Sequence, residues 1–379
     1  MFWRSLSSFG STVALVDDDR TLTYAELHQR IAGVAESMGS TKSLVMIAAD
    51  NSLETVVALY GALYGGHTAI LCPRHNGAQS SAIRQQFQPQ WICDRSESHV
   101  WQLNANKEAE VASLHPDLAL VVNQAGDSDR YARFSYQHLA ANSAAIGKHL
   151  QIGGGDKTLL TLPLHSCYGL TVLNSHLASG ATVHLGSEPL AGDAAIKFIQ
   201  QAGITSLTCA ADDIEQLEAH QFREHPLPSL RYLTLAGGGL EPEASNRYAQ
   251  WAGRANKRFF VMAGQNDRGS PGLWGSTANG VAANDAPTAE QNGSLIVAGA
   301  ELMMGYARSL ADLAEGTHHG QVADKEVGSF AIVERTEPAR RMPAAYAASF
   351  SDSHGLGSLK RRLQRSLAWI SPRSNRARE

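Results

Sequence analysis

Residues 43–73 read SLVMIAADNSLETVVALYGALYGGHTAILCP, and the fold class follows from how this stretch divides. LVMIAA at 44–49 is an unbroken apolar run of strand length, the pattern of a strand buried on both faces. Ser52 is a residue type that caps helix N-termini, and the helix LETVVALYGALYGG after it ends in paired glycines that suit a C-terminal stop. HTAILC at 67–72 is a second buried strand, stopped by Pro73. Strand, helix, strand is the repeating unit of a parallel, layered sheet.

The same alternation runs outward along the chain. TLLTLP, ATVHLG, SLTCA, RYLTLAG and RFFVMAG are short β-rich runs, several of them separated by helical segments. GSLIVAG (293–299) and GSFAIVER (328–335) add strands of a smaller β-rich region, spanning about 290–335. The predicted class is α/β: layered, mostly parallel sheets with flanking helices, plus that smaller β-rich subdomain. With 379 residues, 43% of them hydrophobic, there is enough apolar material for two or three domains or subdomains. Internal repeats and heptads are absent from the sequence.

The charge balance and cysteines narrow the setting. A net charge of −4 points to no acidic partner overall. Cys72, Cys93, Cys167 and Cys209 are scattered without a C-x-x-C pair, which fits a reduced, cytoplasmic protein and neither a disulfide framework nor a zinc site. The apolar run from Leu53 to Leu71 is broken by Glu54 and His67, and no stretch of about 18 uncharged apolar residues exists, so no membrane span is predicted. Arg4 lies near the start without an apolar stretch and cleavage site behind it, so no signal peptide is predicted. The segment 335–379 carries ten Lys/Arg against three Asp/Glu, a net +7 that leaves −11 on the rest. Within it Leu356, Leu359, Leu363, Leu367 and Ile370 recur at helical spacing among Lys360, Arg361, Arg362 and Arg365, a short basic amphipathic helix. This tail reads either as a helix docked on its own protein or as one that contacts a partner or a membrane surface. It has no nucleic-acid reader motif, so nucleic acid is not a predicted partner.

Six segments, taken in order, resemble one family. They are TLTYAELHQRIAGVAESM (21–38), the 43–73 unit, LVVNQAGDSDRYARFSYQHLAAN (120–142), LLTLPLHSCYGLTVLNSHLASGATVHL (159–185), SLRYLTLAGGGLEP (229–242) and ELMMGYAR (301–308). Together they look like the large N-terminal domain of the AMP-forming acyl/aryl-acid ligases, the adenylate-forming superfamily, over roughly residues 10–335. The resemblance implies a reaction in which a carboxylate and ATP, with magnesium, give an acyl-adenylate and pyrophosphate. Transfer to coenzyme A or a carrier-protein thiol then follows. It also implies a carboxylic acid and an acyl-carrier protein as partners. The family's small C-terminal domain has no counterpart in the 44 residues after Arg335; they are read as a basic tail, 336–379.

The chain departs from the family pattern on the ATP side. The family's Thr-Ser-Gly-Ser-Thr-Gly-x-Pro-Lys-Gly phosphate loop falls on Val122 to Tyr131. There Gln124 and Asp127 replace glycines and Asp129 replaces the proline. Ser128, at the variable position, and Arg130, at the lysine position, keep some of its chemistry. Glycines let successive backbone N–H groups curl around an anion. A carboxylate about 4 Å from a phosphate charge costs on the order of 4 kcal/mol at an effective dielectric near 20. The plain alternative is a polar turn between a strand and a helix. The adenine-stacking Tyr-Gly-x-Thr-Glu aligns with Ala263, Gly264, Gln265, Asn266 and Asp267, so the aromatic is lost and a shorter carboxylate, Asp267, is the weak metal candidate. The ribose-gripping aspartate becomes Gln321, and the hinge pair becomes Glu334 and Arg335. The Gly-Gly turn at Gly237 and Gly238 lines the nucleotide side in the family, and Gly239 the acyl pocket; a plain turn is equally compatible.

The acyl side is better kept. His165, Tyr168 and Gly169 stand where the family lines its substrate pocket, with a satisfied core histidine as the alternative for His165. Gly153 to Lys157 lacks the spacing and Ser/Thr of a P-loop and reads as a surface turn. The function expected is thus an AMP-dependent synthetase/ligase relative, catalytically impaired or a pseudoenzyme. Open alternatives are an active ligase completed in trans by a separate small domain, a non-enzymatic acyl- or protein-binding module, and a chain whose tail is accidental read-through.

Overall fold

A computed structural model of the chain describes residues 1–18, 20–95, 101–109, 113–123, 130–186, 190, 192–236, 242–265, 289–291, 294–298, 303–316 and 329–334, the last, 242, 263–265, 289–291 and 294–298 in backbone only. The chain begins with β1 (Val13–Asp17), β2 (Arg20–Thr23), α1 (Tyr24–Met38), β3 (Leu44–Ala49), α2 (Leu53–Tyr64), β4 (Thr68–Pro73), α3 (Gly77–Phe87) and β5 (Trp91–Arg95). It continues with β6 (Trp101–Ala105), β7 (Leu118–Asn123), β8 (Tyr131–Ser135), α4 (Tyr136–Leu150), β9 (Lys157–Leu160), α5 (Cys167–Ala178), β10 (Thr182–Leu185) and α6 (Gly192–Ala202). Then come β11 (Ser206–Cys209), α7 (Ala211–Ala219), β12 (Tyr232–Ala236), α8 (Pro242–Arg254), β13 (Arg258–Gln265), β14 (Ala289–Gln291), β15 (Ser294–Ala298), β16 (Gly305–Ala307) and β17 (Ser329–Glu334).

Among the described residues these strands form two sheets. One has seven strands in the order β16-β8-β7-β4-β3-β5-β6; the other has ten, in the order β14-β15-β17-β13-β12-β11-β9-β10-β1-β2. The 43–73 unit is the β3–α2–β4 crossover, its strands parallel from Leu44 opposite Thr68 to Ala49 opposite Pro73. Pro73 closes β4 as its last residue instead of following it. Ser52 caps α2 by accepting from Thr55 N at 3.3 Å. The stop is made by Gly66, whose φ of 81° is the left-handed conformation that glycine takes without strain. In the ten-stranded sheet β1, β10, β9, β11, β12 and β13 are parallel, and β17 runs antiparallel to β13. GSLIVAG and GSFAIVER thus supply β15 and β17, which extend this sheet at its edge.

The pattern of apolar positions explains the layering. A helix buried all round must be covered on both sides. Leu53 and every residue from Thr55 to Leu63 of α2 are buried, as are Gly169 to Leu177 of α5. The central core cluster accordingly joins β3, β4 and β7 of one sheet to β1 and β10 of the other through α1, α2 and α5. A second cluster packs α6, α7 and α8 on the ten-stranded sheet, and a third packs α3 and the 304–313 segment on the seven-stranded sheet. Helix α1 starts in a capping box: Thr23 N donates to Glu26 Oε2 at 2.8 Å, and Glu26 N donates to Thr23 Oγ1 at 3.2 Å. The Gly153–Lys157 stretch is a turn whose Asp156 accepts from Gly153 N and Thr205 Oγ1 and pairs with Arg231. All four cysteines are free and buried. Among the described residues no helix is long and apolar enough to cross a membrane.

Candidate functional site

Parallel strands end together, so the loops beyond their carboxyl ends gather at one edge of a sheet, where open α/β proteins bind ligands. In the seven-stranded sheet this edge carries Asp50 after β3, Arg74 after β4 and Arg95 at the end of β5. Arg74 and Arg95 both reach Asp50 Oδ2, at 3.4 and 3.5 Å, so two guanidinium groups share one carboxylate. In the ten-stranded sheet the edge carries the 161–166 loop after β9, Gly186 after β10 and Ala210 after β11.

One side chain spans the two edges. Asn51 Nδ2 donates to Leu160 O at 3.1 Å, Leu162 O at 3.2 Å and Gly186 O at 2.9 Å. Its Oδ1 accepts from Leu164 N at 3.1 Å.

His165, Tyr168 and Gly169, the expected substrate-pocket residues, lie on the loop that Asn51 grips and on the first turn of α5. His165 is half-buried, and its Nδ1 is covered, with no hydrogen-bond partner among the described residues. Burial lowers its pKa from the ordinary histidine value, so the ring is neutral near pH 7. Ser166 caps α5, accepting from Gly169 N at 3.1 Å. Tyr168 is half-buried and packs both on the central core and on the cluster of Tyr232, Phe260 and Met262. Gly169 has a packing reason to be glycine: a Cβ there would sit 2.3 Å from Pro163 O and 2.9 Å from Leu162 O.

Of the residues expected on a nucleotide side, Arg130 is buried, and its guanidinium lies over the Tyr306 ring at 4.0 Å. Tyr306 belongs to β16, which pairs with β8 next to Arg130, so two of the resembling segments meet here. Gly264 and Gln265 are described in backbone only, as the end of β13 opposite Phe330 and Ser329. Ser128, Gly237, Gly238, Gly239, Asp267, Gln321 and Arg335 lie outside the described residues. No group of three or more metal-ligating side chains occurs among the described residues.

Two sets of residues went unread in the sequence. Asp50, Arg74 and Arg95 are each among the first charged positions beyond an apolar strand run, and that signal was available. Arg133 is fully buried in β8 and donates to Met304 O at 2.8 Å, Asp312 O at 2.6 Å and Glu315 O at 2.7 Å. Its partners lie some 170 to 180 residues away, and nothing local marks it.

The family profile described as AMP-binding enzyme matches residues 2–89 and 132–307. A search of curated proteins found no match. Solved structures of like fold include a variant of E. coli MenE with bound OSB-AMS, with TM-score 0.61 and 19% identity, covering 86% of this chain and 73% of that one. A double mutant of o-succinylbenzoate CoA synthetase (MenE) from Bacillus subtilis, bound with its product analogue OSB-NCoA, gives TM-score 0.56 at 18% identity, covering 68% of this chain and 57% of that one. The Klebsiella oxytoca NpsA N-terminal subdomain, in complex with 3-hydroxybenzoyl-AMSN, gives 0.53 at 15%, covering 69% and 71%. At these identities the likeness is one of fold. With two sheets enclosing α1, α2 and α5, and with a profile match over most of its length, the chain belongs to the AMP-binding enzyme family and has the α/β fold of the adenylate-forming large domain.

Proposed function

We propose that this chain keeps the carboxylic-acid side of the adenylate-forming fold and has lost most of its ATP side, so that it is a catalytically impaired or non-catalytic acid-binding relative. The observation that carries this reading is the placement of Arg130. It occupies the lysine position of the phosphate loop, yet its charge is stacked on Tyr306 inside the protein. Asp127 and Asp129 in the same loop repel a triphosphate. The interval 90–131, which holds this loop, is also the one that the family match leaves out. The residues present therefore do not fit ATP with magnesium, and no adenylation step is assigned to them.

The acid is of the acyl or aryl class, held beside His165 and Tyr168. Support comes from the half-buried, neutral His165 and from the unbroken family match over 132–307. An artificially fused adenylation–PCP di-domain from Klebsiella oxytoca is among the similar folds, which favours a carrier protein as partner class. The chain divides into a body, 1–335, and a basic tail, 336–379, in this reading. A reducing compartment suits four free, buried cysteines.

Calorimetric titration with ATP and magnesium tests the reading. No measurable heat is expected, and binding in the micromolar range overturns it. A thermal-shift series with medium-chain fatty acids and benzoates tests the acid side, where stabilisation by at least one acid is expected.

A further inference from the structure

We infer that Asn51 is the positioning residue of the 161–166 loop, and that through this loop the seven-stranded sheet sets where His165 stands. The inference rests on the acid-side reading only for its functional meaning; the geometry stands by itself.

Asn51 lies in the turn between β3 and α2, and its carboxamide is used at both ends. The Nδ2 group faces three carbonyls, at Leu160, Leu162 and Gly186, while Oδ1 takes the Leu164 N–H. Only a side chain that donates and accepts from one short planar group meets this demand. Aspartate would set a charge against three carbonyl oxygens, and alanine would leave the Leu164 N–H without its acceptor. The contacts sit where β9 and β10 stop pairing, with Gly186 N donating to Leu160 O at 2.9 Å as the last bond of the ladder. Beyond that point the loop has no sheet to hold it. On its other side it is held by α5: Ser166 N donates to Pro163 O at 2.9 Å, and Gly169 leaves room for the same carbonyl. His165 follows directly on the Leu164 N–H that Asn51 accepts. The loop is clamped between one amide and one helix turn, and removing the amide frees one side of it.

The test compares the full-length wild type with Asn51→Ala, and with Asn51→Asp, which keeps the side-chain shape should the alanine variant fail to fold. Hydrogen exchange by mass spectrometry is read in peptides over 160–166 and, as reference, over β3 and β12. Exchange in 160–166 is expected to rise about tenfold or more, the effect of losing one to two net hydrogen bonds, with the reference peptides unchanged. The His165 titration, followed by NMR, is expected to move up toward the ordinary value of about 6.5 as the ring regains water. Unchanged exchange in 160–166 or an unmoved His165 midpoint overturns the inference. So does an equal rise in the reference peptides, which would make Asn51 a general stabiliser. Octanoate and benzoate binding to the wild type is measured separately. If neither binds, the acid-side reading fails while the exchange and titration results still decide the role of Asn51.

Discussion

Arg130 and Gly169 show how one position can be judged only with its surroundings. Arg130 keeps the charge of the family's lysine, but a guanidinium over an aromatic ring is stabilised by the ring's quadrupole. Arg130→Gln should destabilise the fold by about 1–2 kcal/mol in urea unfolding and leave the ATP titration unchanged. Gly169 lets α5 begin against the backbone of Leu162 and Pro163. Those contacts are with backbone atoms, which cannot rotate away. Gly169→Ala is therefore expected to lower stability by about 2–4 kcal/mol, read as a shift of the urea midpoint. Arg133 makes a third case, with three carbonyls satisfied by one fork. Arg133→Met should cost on the order of 3 kcal/mol by leaving those carbonyls unpaired. Arg133→Lys should recover little of it, because an ammonium on a flexible stem does not match the fork.

Helix α5 carries the element-scale argument. It is buried on nearly every side, and His176 lies within it, its Nδ1–H donating to Val172 O at 2.8 Å and its Nε2 facing Ser206 Oγ at 3.1 Å and Tyr232 Oη at 3.3 Å. Burial disfavours the charged ring and lowers the His176 pKa from 6.5 to about 4. His184 on neighbouring β10 is lowered to about 4 as well, by burial and by Lys157. The unfolded chain takes up these protons at a higher pH than the folded one does. Stability is thus complete above about pH 6.5 and falls steadily as the pH drops toward 4. Urea midpoints measured from pH 7.5 to 4.5 should trace this fall, and His176→Asn should flatten it. A midpoint that rises on acidification would contradict the burial of both rings.

For the molecule as a whole, the four cysteines provide a direct measure of closure. All are buried, and burial pushes each thiol pKa upward. A thiol reagent such as DTNB should find none reacting rapidly in the native chain and four after denaturation. A fast native thiol would mean that the sheets and helices do not close as described. The central cluster that buries Cys93 and Cys167 is also what joins the two sheets.

Much of this was legible in the chain alone. The β3–α2–β4 crossover rests on a pattern within some 30 residues, because apolar periodicity and caps are local consequences of helix and strand geometry; the α/β class and the family resemblance rest on the order of several such segments along the chain. The substitutions in the 122–131 loop were legible too, since a missing glycine or lysine is visible without coordinates. What the chain alone did not disclose is where the local pieces meet. Nothing in the residues around Asn51 shows that its amide meets carbonyls 109 to 135 positions away. Arg130 is one more charged loop residue in the sequence, and only the pairing of β16 with β8 brings Tyr306 over it. Sequence determined which elements form and which motifs are altered; the tertiary structure decided which charges are engaged and which loop is held. Hydrogen bonds and ring contacts between distant segments depend on how sheets and helices pack, and that packing leaves no short-range pattern to read.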